Sequence, residues 1–354
     1  MYGALAMAHE VHPEAAVRLS ICIPTYNFGE FIGETLQSIL PQVVEGVEVV
    51  ILDGGSTDET STVVHSFQER FPALRYHCRE ERGGIDRDMA LTVELARGEY
   101  CWLFSSDDLM RPGAVVRMLE QIESGLDVYL CGLTICTCDM RPLKEHPILD
   151  VPTDMTFDLS QEEDRRLYFE HAQTTTAFFS FLGSVIFKKA RWEELDLDED
   201  FVGSCWAHVA RMFRMIPSGL SVKYLKASYL WKRSDNDSFL EDGQIRRFAL
   251  TIDGYHRLAH TFFDRDSLEA LHIRRVVAAE FPPFVMLYGK WIGVDASPED
   301  QRLLWRLVET VYMDPSLKNR LYRGVYNAAP IAQLKKLVRT VLRGTSGARA
   351  PQAI

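Results

Sequence analysis

Four short strand-like runs, three of them apolar and followed by a polar cluster, most constrain how the first third of this chain can fold. They span residues 19–24, 47–52, 74–78 and 100–104. Between them, apolar residues recur every three or four positions, as on one face of an amphipathic helix. Buried strands that alternate with helices of this length predict parallel strand pairing and therefore an α/β domain.

Polar clusters follow three of these runs, at the points where the predicted strands end. The clusters are Thr25-Tyr26-Asn27, Asp53-Gly54-Gly55-Ser56 and Ser105-Ser106-Asp107-Asp108. Ligands of parallel sheets bind beyond the carboxyl ends of the strands. We therefore expect the three clusters to converge on one face of the sheet and to form a binding site.

The pattern changes after about residue 150 and becomes mainly helical from Phe239 onward. We predict a flexible leader over residues 1–17, an α/β domain over residues 18–238 and a largely helical region over residues 239–354. Two Ser-x-x-Glu pairs predict helix starts through capping boxes. They are Ser56 with Glu59 and Ser160 with Glu163.

The charge is unevenly distributed along the chain. Net charge is −11, which argues against a nucleic-acid partner. From Pro315 onward there are eight Lys or Arg residues and no acid, whereas the rest carries all 50 acids. The pattern of residues 331–343 predicts a helix with an apolar face that includes Leu334 and a basic face that includes Lys335. Such a basic amphipathic helix favours an anionic membrane surface as a partner. The alternative is a terminal helix docked on the protein with its basic residues in water.

Cysteine usage and hydropathy bear on the compartment. The seven cysteines include no C-x-x-C pair, which favours free thiols in a reducing cytosol. No apolar run reaches the roughly 20 residues of a membrane-spanning helix. The N-terminal segment lacks the basic start of a signal peptide. We therefore expect a cytoplasmic protein that associates peripherally with the inner face of the membrane through its basic tail.

Asp107 and Asp108 suggest a metal site. Adjacent carboxylates at a strand end repel each other unless a cation or a basic group lies between them. Mg²⁺ and Mn²⁺ prefer oxygen ligands and commonly combine carboxylates with phosphate oxygens. The alternative is that one of the two carboxylates caps the helix expected near Pro112.

The other polar residues allow both a binding interpretation and a plain structural one. Asp53 could accept hydrogen bonds from a base or a ribose, or could only stabilise its own turn. Tyr26 could stack on a base and Thr25 could bond to it, or both could form a simple turn. Arg87 begins a helix where a phosphate could bind, or pairs with Asp86 or Glu80.

Three ordered segments resemble family 2 glycosyltransferases. The segments are SICIPTYN, VVILDGGSTDET and GGIDRDMALTVELARGEYCWLFSSDD, and the resemblance covers residues 18–125, with looser similarity to residue 240. It implies a GT-A, Rossmann-like nucleotide-sugar-binding domain and inverting sugar transfer. The GIDRD, CWLFSSDD and NDSF segments look most like bacterial O-antigen sugar transferases of the abequosyltransferase-like group.

The resemblance also implies roles for residues. Asp107 and Asp108 would hold Mg²⁺ or Mn²⁺, and Ser105 stands where the family has its first Asp, which leaves the ligand assignment open. Arg233 would contact phosphate from a loop, the alternative being a solvated polar loop. The residues that would bind the nucleotide-sugar are Pro24, Thr25, Tyr26, Asn27, Asp53, Asp86, Arg87, Ser106, Asp107 and Arg233.

The general base is the point where the sequence departs from the family. Relatives carry a Glu-Asp pair at the start of a helix, but residues 201–208 contain no such pair. His208 is the first replacement, because an imidazole with a pKa of about 6.5 suits a base at neutral pH. Asp200 is the second. The alternatives are a core histidine beside Trp206 and an acidic surface turn around Asp200.

Partners follow from the resemblance. The donor would be a UDP-, CDP-, GDP- or dTDP-sugar and the acceptor a lipid-linked saccharide. A homodimer through the helical region stays open. Rival functions are another sugar-nucleotide enzyme and a nucleotide-sugar-binding protein without catalysis. The first sheet lacks G-x-G-x-x-G and P-loop patterns, which argues against a dehydrogenase or an NTPase.

Overall fold

The computed structural model describes residues 16–236 and 242–336. Most of the predicted leader, the NDSF segment after Asn236 and the tail beyond Lys336 lie outside the described residues. Contacts divide the chain into two compact units. The first runs to Tyr129 and includes Leu182–Asp196, and the second comprises Leu130–Phe181 and the residues from Leu197 onward. The predicted boundary at residue 238 therefore falls inside the second unit.

The described residues form strands and helices in alternation. The strands are β1 (Leu19–Thr25), β2 (Val47–Asp53), β3 (Leu74–Cys78), β4 (Tyr100–Leu103), β5 (Leu109–Met110), β6 (Val128–Cys136), β7 (Pro142–Glu145), β8 (Met155–Asp158), β9 (Val185–Lys188) and β10 (Ser221–Lys232). The helices are α1 (Gly29–Ile39), α2 (Thr60–Gln68), α3 (Ile85–Leu95), α4 (Ala114–Ile122), α5 (Glu162–His171), α6 (Lys189–Glu193), α7 (Ala207–Met215), α8 (Gln244–Phe262), α9 (Leu268–Glu280), α10 (Pro283–Gly293), α11 (Pro298–Val311) and α12 (Leu317–Ala328).

The first unit is built on a sheet with the strand order β3-β2-β1-β4-β9. β1 pairs in parallel with β2 and β4, and β2 pairs in parallel with β3. Only β9 joins this row antiparallel, beside β4. All residues of β1 and β2 are buried, as their continuous apolar runs require for parallel strands covered on both faces. The predicted α/β class and the four predicted strands are confirmed.

A buried carboxylate fixes the amino ends of these strands. Glu48 lies opposite Ser20 in the β1–β2 pairing and accepts hydrogen bonds from the Ser20 hydroxyl at 2.7 Å and the Arg97 backbone N–H at 2.6 Å. Its second oxygen pairs with the side chains of Arg75 and Arg97 at 3.1 and 3.0 Å. Together these hydrogen bonds lower the pKa of Glu48 against the effect of burial, which opposes them. The carboxylate thus joins β1, β2, β3 and the segment that enters β4.

Gly98 lies against this carboxylate cluster. Its N–H donates to the Ser20 hydroxyl at 2.8 Å. A Cβ atom at Gly98 would lie 2.6 Å from the Ser20 backbone nitrogen, a separation that real structures do not allow. Glycine is therefore required where the chain passes from α3 into β4.

Within the described residues, the second unit combines four strands with most of the helices. β6 lies beside β10, β7 pairs with β6, and β8 pairs antiparallel with β10. The helical stretch predicted from Phe239 onward is confirmed for the described residues, from α8 to α12. In its core, Trp206 lies directly on α8, where a Cβ at Gly254 would be 2.1 Å from the indole nitrogen. No helix in residues 16–236 or 242–336 has the length and apolarity needed to cross a membrane.

Both predicted capping boxes are wrong. α2 begins only at Thr60, where Asp58 accepts the Thr60 N–H, and the Ser56 hydroxyl is used by a neighbouring loop. Ser160 donates its hydroxyl to Asp158 instead of capping α5. Each serine satisfies a turn that precedes the helix, which a four-residue pattern does not reveal.

The start of the predicted basic tail also differs from expectation. Residues 331–336 are helical, but Leu334 on the predicted apolar face is exposed. Lys335 on the predicted basic face is buried and pairs with Asp295 at 2.8 Å. A periodic pattern shows two faces of a helix, but it does not show which face the protein covers.

We predict that Glu48→Ala lowers the free energy of unfolding by about 3 kcal/mol, because it leaves buried donors of the cluster unpaired. Arg97→Ala is the matched control and should cost about 1 kcal/mol or less, because that side chain is half exposed. Urea unfolding measures both. Equal losses for the two variants would contradict the central role assigned to the carboxylate.

Candidate active site

The loops after β1 and β2 are joined by hydrogen bonds at the carboxyl edge of the sheet. Thr25 lies opposite Asp53, and the Gly54 N–H donates to the Thr25 carbonyl at 2.8 Å. Asn27 adopts a left-handed conformation with φ of +58°, which Asn tolerates better than most residues. Its N–H donates to the Ser56 hydroxyl and its side-chain oxygen accepts the Thr57 N–H, both at 2.8 Å. Asn27 therefore positions the two loops, a structural role that its predicted nucleotide contact did not include.

Asp53 is fully buried at the end of β2. One carboxylate oxygen accepts the Ser56 N–H at 2.7 Å, and the other accepts the Tyr76 hydroxyl at 2.7 Å. Burial, followed by this bond to Asp53, raises the pKa of Tyr76 well above its ordinary value, so the phenol remains a donor. Asp53 is thus held in one orientation at the edge of the sheet.

Asp88 reaches the same edge from α3 and is only 4% exposed. A Cβ at Gly54 would lie 2.7 Å from one of its oxygens, and a Cβ at Gly83 would lie 2.5 Å from the other. A side chain at either glycine would therefore displace this carboxylate from its present position. Arg79 lies 3.6 Å away. Burial raises the pKa of Asp88, and the charges of Arg79 and Arg82 oppose that shift.

Two further predicted residues complete this side of the site. The Arg82 guanidinium lies 4.2 Å from the centre of the Tyr26 ring, so one face of the predicted stacking residue contacts a cation. The Thr25 hydroxyl is buried and has no hydrogen-bond partner among the described residues. A buried hydroxyl without a partner costs free energy unless a ligand bonds to it. Pro24 precedes it in β1, while on α3 Asp86 is buried and Arg87 is exposed.

The Ser-Ser-Asp-Asp segment follows β4 beside β1, where the Phe104 N–H donates to the Cys22 carbonyl at 2.9 Å. Ser106, Asp107 and Asp108 are buried or nearly so. Ser105 donates its hydroxyl to Asp107, and Thr35 donates to the Asp108 carbonyl at 2.9 Å. These bonds fix the segment at the same edge as Thr25 and Asp53. The predicted convergence of the three clusters is confirmed.

The donor set of this segment fits a hard divalent cation. Two adjacent carboxylates offer the oxygen ligands that Mg²⁺ and Mn²⁺ prefer. No group of three or more His, Cys, Asp or Glu side chains suited to a metal occurs in the part of the chain that the structure describes.

Three predicted site residues belong to the second unit. Arg233 is buried and donates to the Cys138 carbonyl, which contradicts the alternative of a solvated loop at this position. Asp200 is exposed in a short 3₁₀ turn, where its N–H donates to the Asp198 carboxylate at 3.2 Å. His208 is buried in the first turn of α7.

The surroundings of His208 select the tautomer of its neutral ring. Its Nε2 lies 3.1 Å from the Phe179 carbonyl oxygen, and its ring centre lies 6.4 Å from that of Trp206. A carbonyl oxygen only accepts, so Nε2 carries a proton. The basic nitrogen of the neutral ring is therefore Nδ1.

Sequence reasoning missed Asp88, Tyr76, Arg79 and Arg82. The only signal for Asp88 was its place in the GGIDRD segment, two positions from Asp86. Its role depends on contacts with Gly54 and Gly83, which become visible only when the loop before α3 lies against the end of β2.

The fold and this site define a nucleotide-sugar glycosyltransferase of the GT-A class. The chain belongs to glycosyl transferase family 2, whose model matches residues 20–189. It is 31% identical over 254 residues to the abequosyltransferase RfbV of Salmonella typhimurium, covering 70% of this chain and 76% of that protein.

Two solved structures share the fold. TarS 1–349 of S. aureus, in complex with UDP-GlcNAc, superposes with a TM-score of 0.57 at 16% identity, covering 94% of this chain and 93% of that one. The mannosyltransferase PcManGT of Pyrobaculum calidifontis, in complex with GDP-Man and Mn²⁺, gives a TM-score of 0.50 at 17% identity, covering 97% and 92%. These identities support the GT-A-like fold alone.

We predict that Asp88→Asn weakens nucleotide binding roughly tenfold, because it replaces a charged hydrogen-bond acceptor of the candidate site by a neutral amide. The same variant should be more stable than the unchanged chain at neutral pH. A carboxyl whose pKa is raised on folding favours the folded state in acid, and this contribution is lost as pH rises through the folded pKa. The stability difference should therefore shrink as the solution is acidified.

Thermal unfolding over a pH series and calorimetric titration with nucleoside diphosphates measure the two effects. Glu94→Gln is the control, because it removes an exposed carboxylate from the same helix. A variant that is less stable at neutral pH, or that binds nucleotide as tightly as the unchanged chain, would contradict this account of Asp88.

Proposed function

We propose that this protein is an inverting glycosyltransferase that adds a sugar from a nucleotide-sugar to an acceptor hydroxyl in bacterial surface polysaccharide synthesis. The observation that carries the proposal is the meeting of Thr25, Asp53, Asp88 and the Ser105–Asp108 segment at one sheet edge. The similarity to an abequosyltransferase supports an O-antigen-like product.

The donor site follows from the charges and the free hydrogen-bonding capacity of this edge. Asp53 keeps lone pairs to accept from a base or ribose, because each oxygen receives one protein donor. Thr25 supplies a buried hydroxyl. Tyr26 and Asn27 border the same loop, and Arg87 with Asp86 begins the helix that a diphosphate would approach. The sugar donor would be a UDP-, CDP-, GDP- or dTDP-sugar.

Asp107 and Asp108 would hold Mg²⁺ or Mn²⁺. When bound there, the ion would neutralise the charge that develops on the departing diphosphate. Ser105 orients Asp107 through its hydroxyl, and Thr35 fixes the backbone of Asp108. Ser106 and Arg233 are the remaining proposed contacts of the nucleotide-sugar. PcManGT, which shares the fold, was solved in complex with GDP-Man and Mn²⁺.

The acceptor proton must pass to a base as the new bond forms. Two candidates remain, and they differ in their surroundings. His208 would accept at Nδ1, with its ring oriented by the bond from Nε2 to Phe179. Asp200 would act as an exposed carboxylate in a turn held by Asp198. The buried and oriented imidazole is the first candidate, because a base works best when its position is fixed.

We further propose a lipid-linked saccharide as acceptor and the cytoplasmic face of the cell membrane as the place of reaction. The basic segment after Pro315 supports an anionic membrane partner. The part of the predicted amphipathic helix beyond Lys336 lies outside the described residues. A homodimer through the helical region stays a prediction.

We expect one nucleoside diphosphate among UDP, CDP, GDP and dTDP to bind in isothermal titration, and Mn²⁺ to strengthen its binding. Asp108→Asn should remove most of the metal effect, roughly a tenfold to hundredfold change, because a charged ligand is lost. Asp150→Asn, at an exposed acid elsewhere, is the control. Binding that ignores Mn²⁺ would end the metal assignment, and no binding at all would end the proposal.

We expect His208→Ala to lower kcat by a factor on the order of 10² to 10⁴, with nucleotide affinity unchanged, because it removes the base and leaves the donor site intact. Asp200→Asn serves as the paired test. Full turnover in His208→Ala with loss in Asp200→Asn would transfer the role to Asp200. Nucleotide binding without any turnover in the unmodified chain would favour a binding protein.

A further inference from the structure

We propose that the exposed apolar face of α12 is a docking surface for an anionic lipid bilayer. The face consists of Leu317, Leu321 and Val325, whose spacing of four residues places them on one side of the helix. They are 84%, 63% and 43% exposed. Two leucines and a valine in a row cost free energy in water unless another surface covers them.

The exposure of this face follows from how α12 is fixed. Its other side is anchored to α10 and α11: Tyr326 is buried, and the Lys290 ammonium donates to the Ala329 carbonyl at 3.0 Å. Arg323 pairs with Glu309 at 3.0 Å. The anchored side cannot turn outward without breaking these contacts, so the apolar row stays on the surface.

Other helices of the C-terminal region also expose large apolar side chains. Of twelve large apolar side chains that are exposed in the described residues, seven lie between residues 284 and 334. They are Phe284, Tyr288, Trp305, Leu317, Leu321, Val325 and Leu334. Aromatic and aliphatic side chains of this kind are those that enter the boundary between lipid headgroups and acyl chains.

Charge identifies the partner as anionic. Lys318 and Arg320 are exposed on α12 beside the apolar row, whereas Arg323 and Lys335 are already paired with acids. No Asp or Glu occurs from Pro315 to the end of the chain. Lipid headgroups of negative charge attract such cations, and the apolar row gains by leaving water.

The same charges argue against two other occupants. A second copy seated symmetrically on this face would bring two positively charged patches together, since the same surface of both copies meets in such a contact. The tail beyond Lys336 carries Arg339, Arg343 and Arg349 without an acid, so its docking on α12 would also bring like charges together. A bilayer avoids both conflicts. The purpose of docking rests on the proposed lipid-linked acceptor, but the surface itself does not depend on donor chemistry.

Co-sedimentation of the full chain with vesicles tests the proposal. We expect binding to vesicles that contain phosphatidylglycerol and little binding to pure phosphatidylcholine. The Leu317→Ser, Leu321→Ser double variant should bind at least roughly tenfold more weakly, because it removes the apolar contribution. Lys318→Gln with Arg320→Gln should lose roughly fivefold per cation and the preference for anionic lipid.

Leu143→Ser with Leu271→Ser is the matched control, because both leucines are exposed outside this region. Vesicle binding that survives in the Leu317→Ser, Leu321→Ser variant would overturn the proposal. The proposal would also be overturned if only the Arg339→Gln, Arg343→Gln variant lost vesicle binding, because the contact would then belong to the tail. A dimer in light scattering that the α12 variant abolishes would assign the face to a second copy.

Nucleotide titration on the same variants separates this inference from the proposed function. The α12 variant should bind nucleotide as the unchanged chain does. If the chain binds nucleotide but no vesicles, only the proposed membrane-docking surface is contradicted. If the chain binds vesicles but no nucleotide, only the proposed glycosyltransferase function is contradicted.

Discussion

The parallel register of β1 and β2 is the constraint on which the site depends. It places Thr25 opposite Asp53 at one edge and Ser20 opposite Glu48 at the other. Because β4 pairs with the other side of β1, the Ser105–Asp108 segment begins next to both. A shift of one residue in this register would turn every side chain to the opposite face and separate the polar groups.

The two edges carry different kinds of polar group. At the amino edge, Glu48 has both oxygens paired with protein donors and adds rigidity. At the carboxyl edge, Asp88 is buried at a cost that its raised pKa reflects, and the Thr25 hydroxyl has no protein partner among the described residues. Such groups are retained where a ligand benefits from them. The stability of the amino edge therefore offsets the free-energy cost of the buried polar groups at the carboxyl edge.

Much of the first unit could be predicted from sequence, because buried parallel strands appear as continuous apolar runs and the polar clusters follow them directly. Asp53, Asp107 and Asp108 were predicted on that basis. Asp88 and Tyr76 were missed, since they reach the site through side-chain contacts between segments far apart in sequence. The helix starts predicted at Ser56 and Ser160 were wrong, because both serines form hydrogen bonds in turns that precede the helices. The faces predicted for the tail were wrong at Lys335, because this residue forms an ion pair with Asp295. His208 and Asp200 stay predictions for the catalytic base.

The tight approach of Gly98 to Ser20 has a consequence for how new specificities arise. Since the strands are locked to each other at the amino edge, the loops at the carboxyl edge can change without moving the strands that carry them. A library designed to accept other sugars should vary the loop residues around Tyr26, Ser56 and Ser106. It should leave Ser20, Glu48 and Gly98 untouched. The fold thereby separates the part that tolerates diversification from the part that guarantees folding.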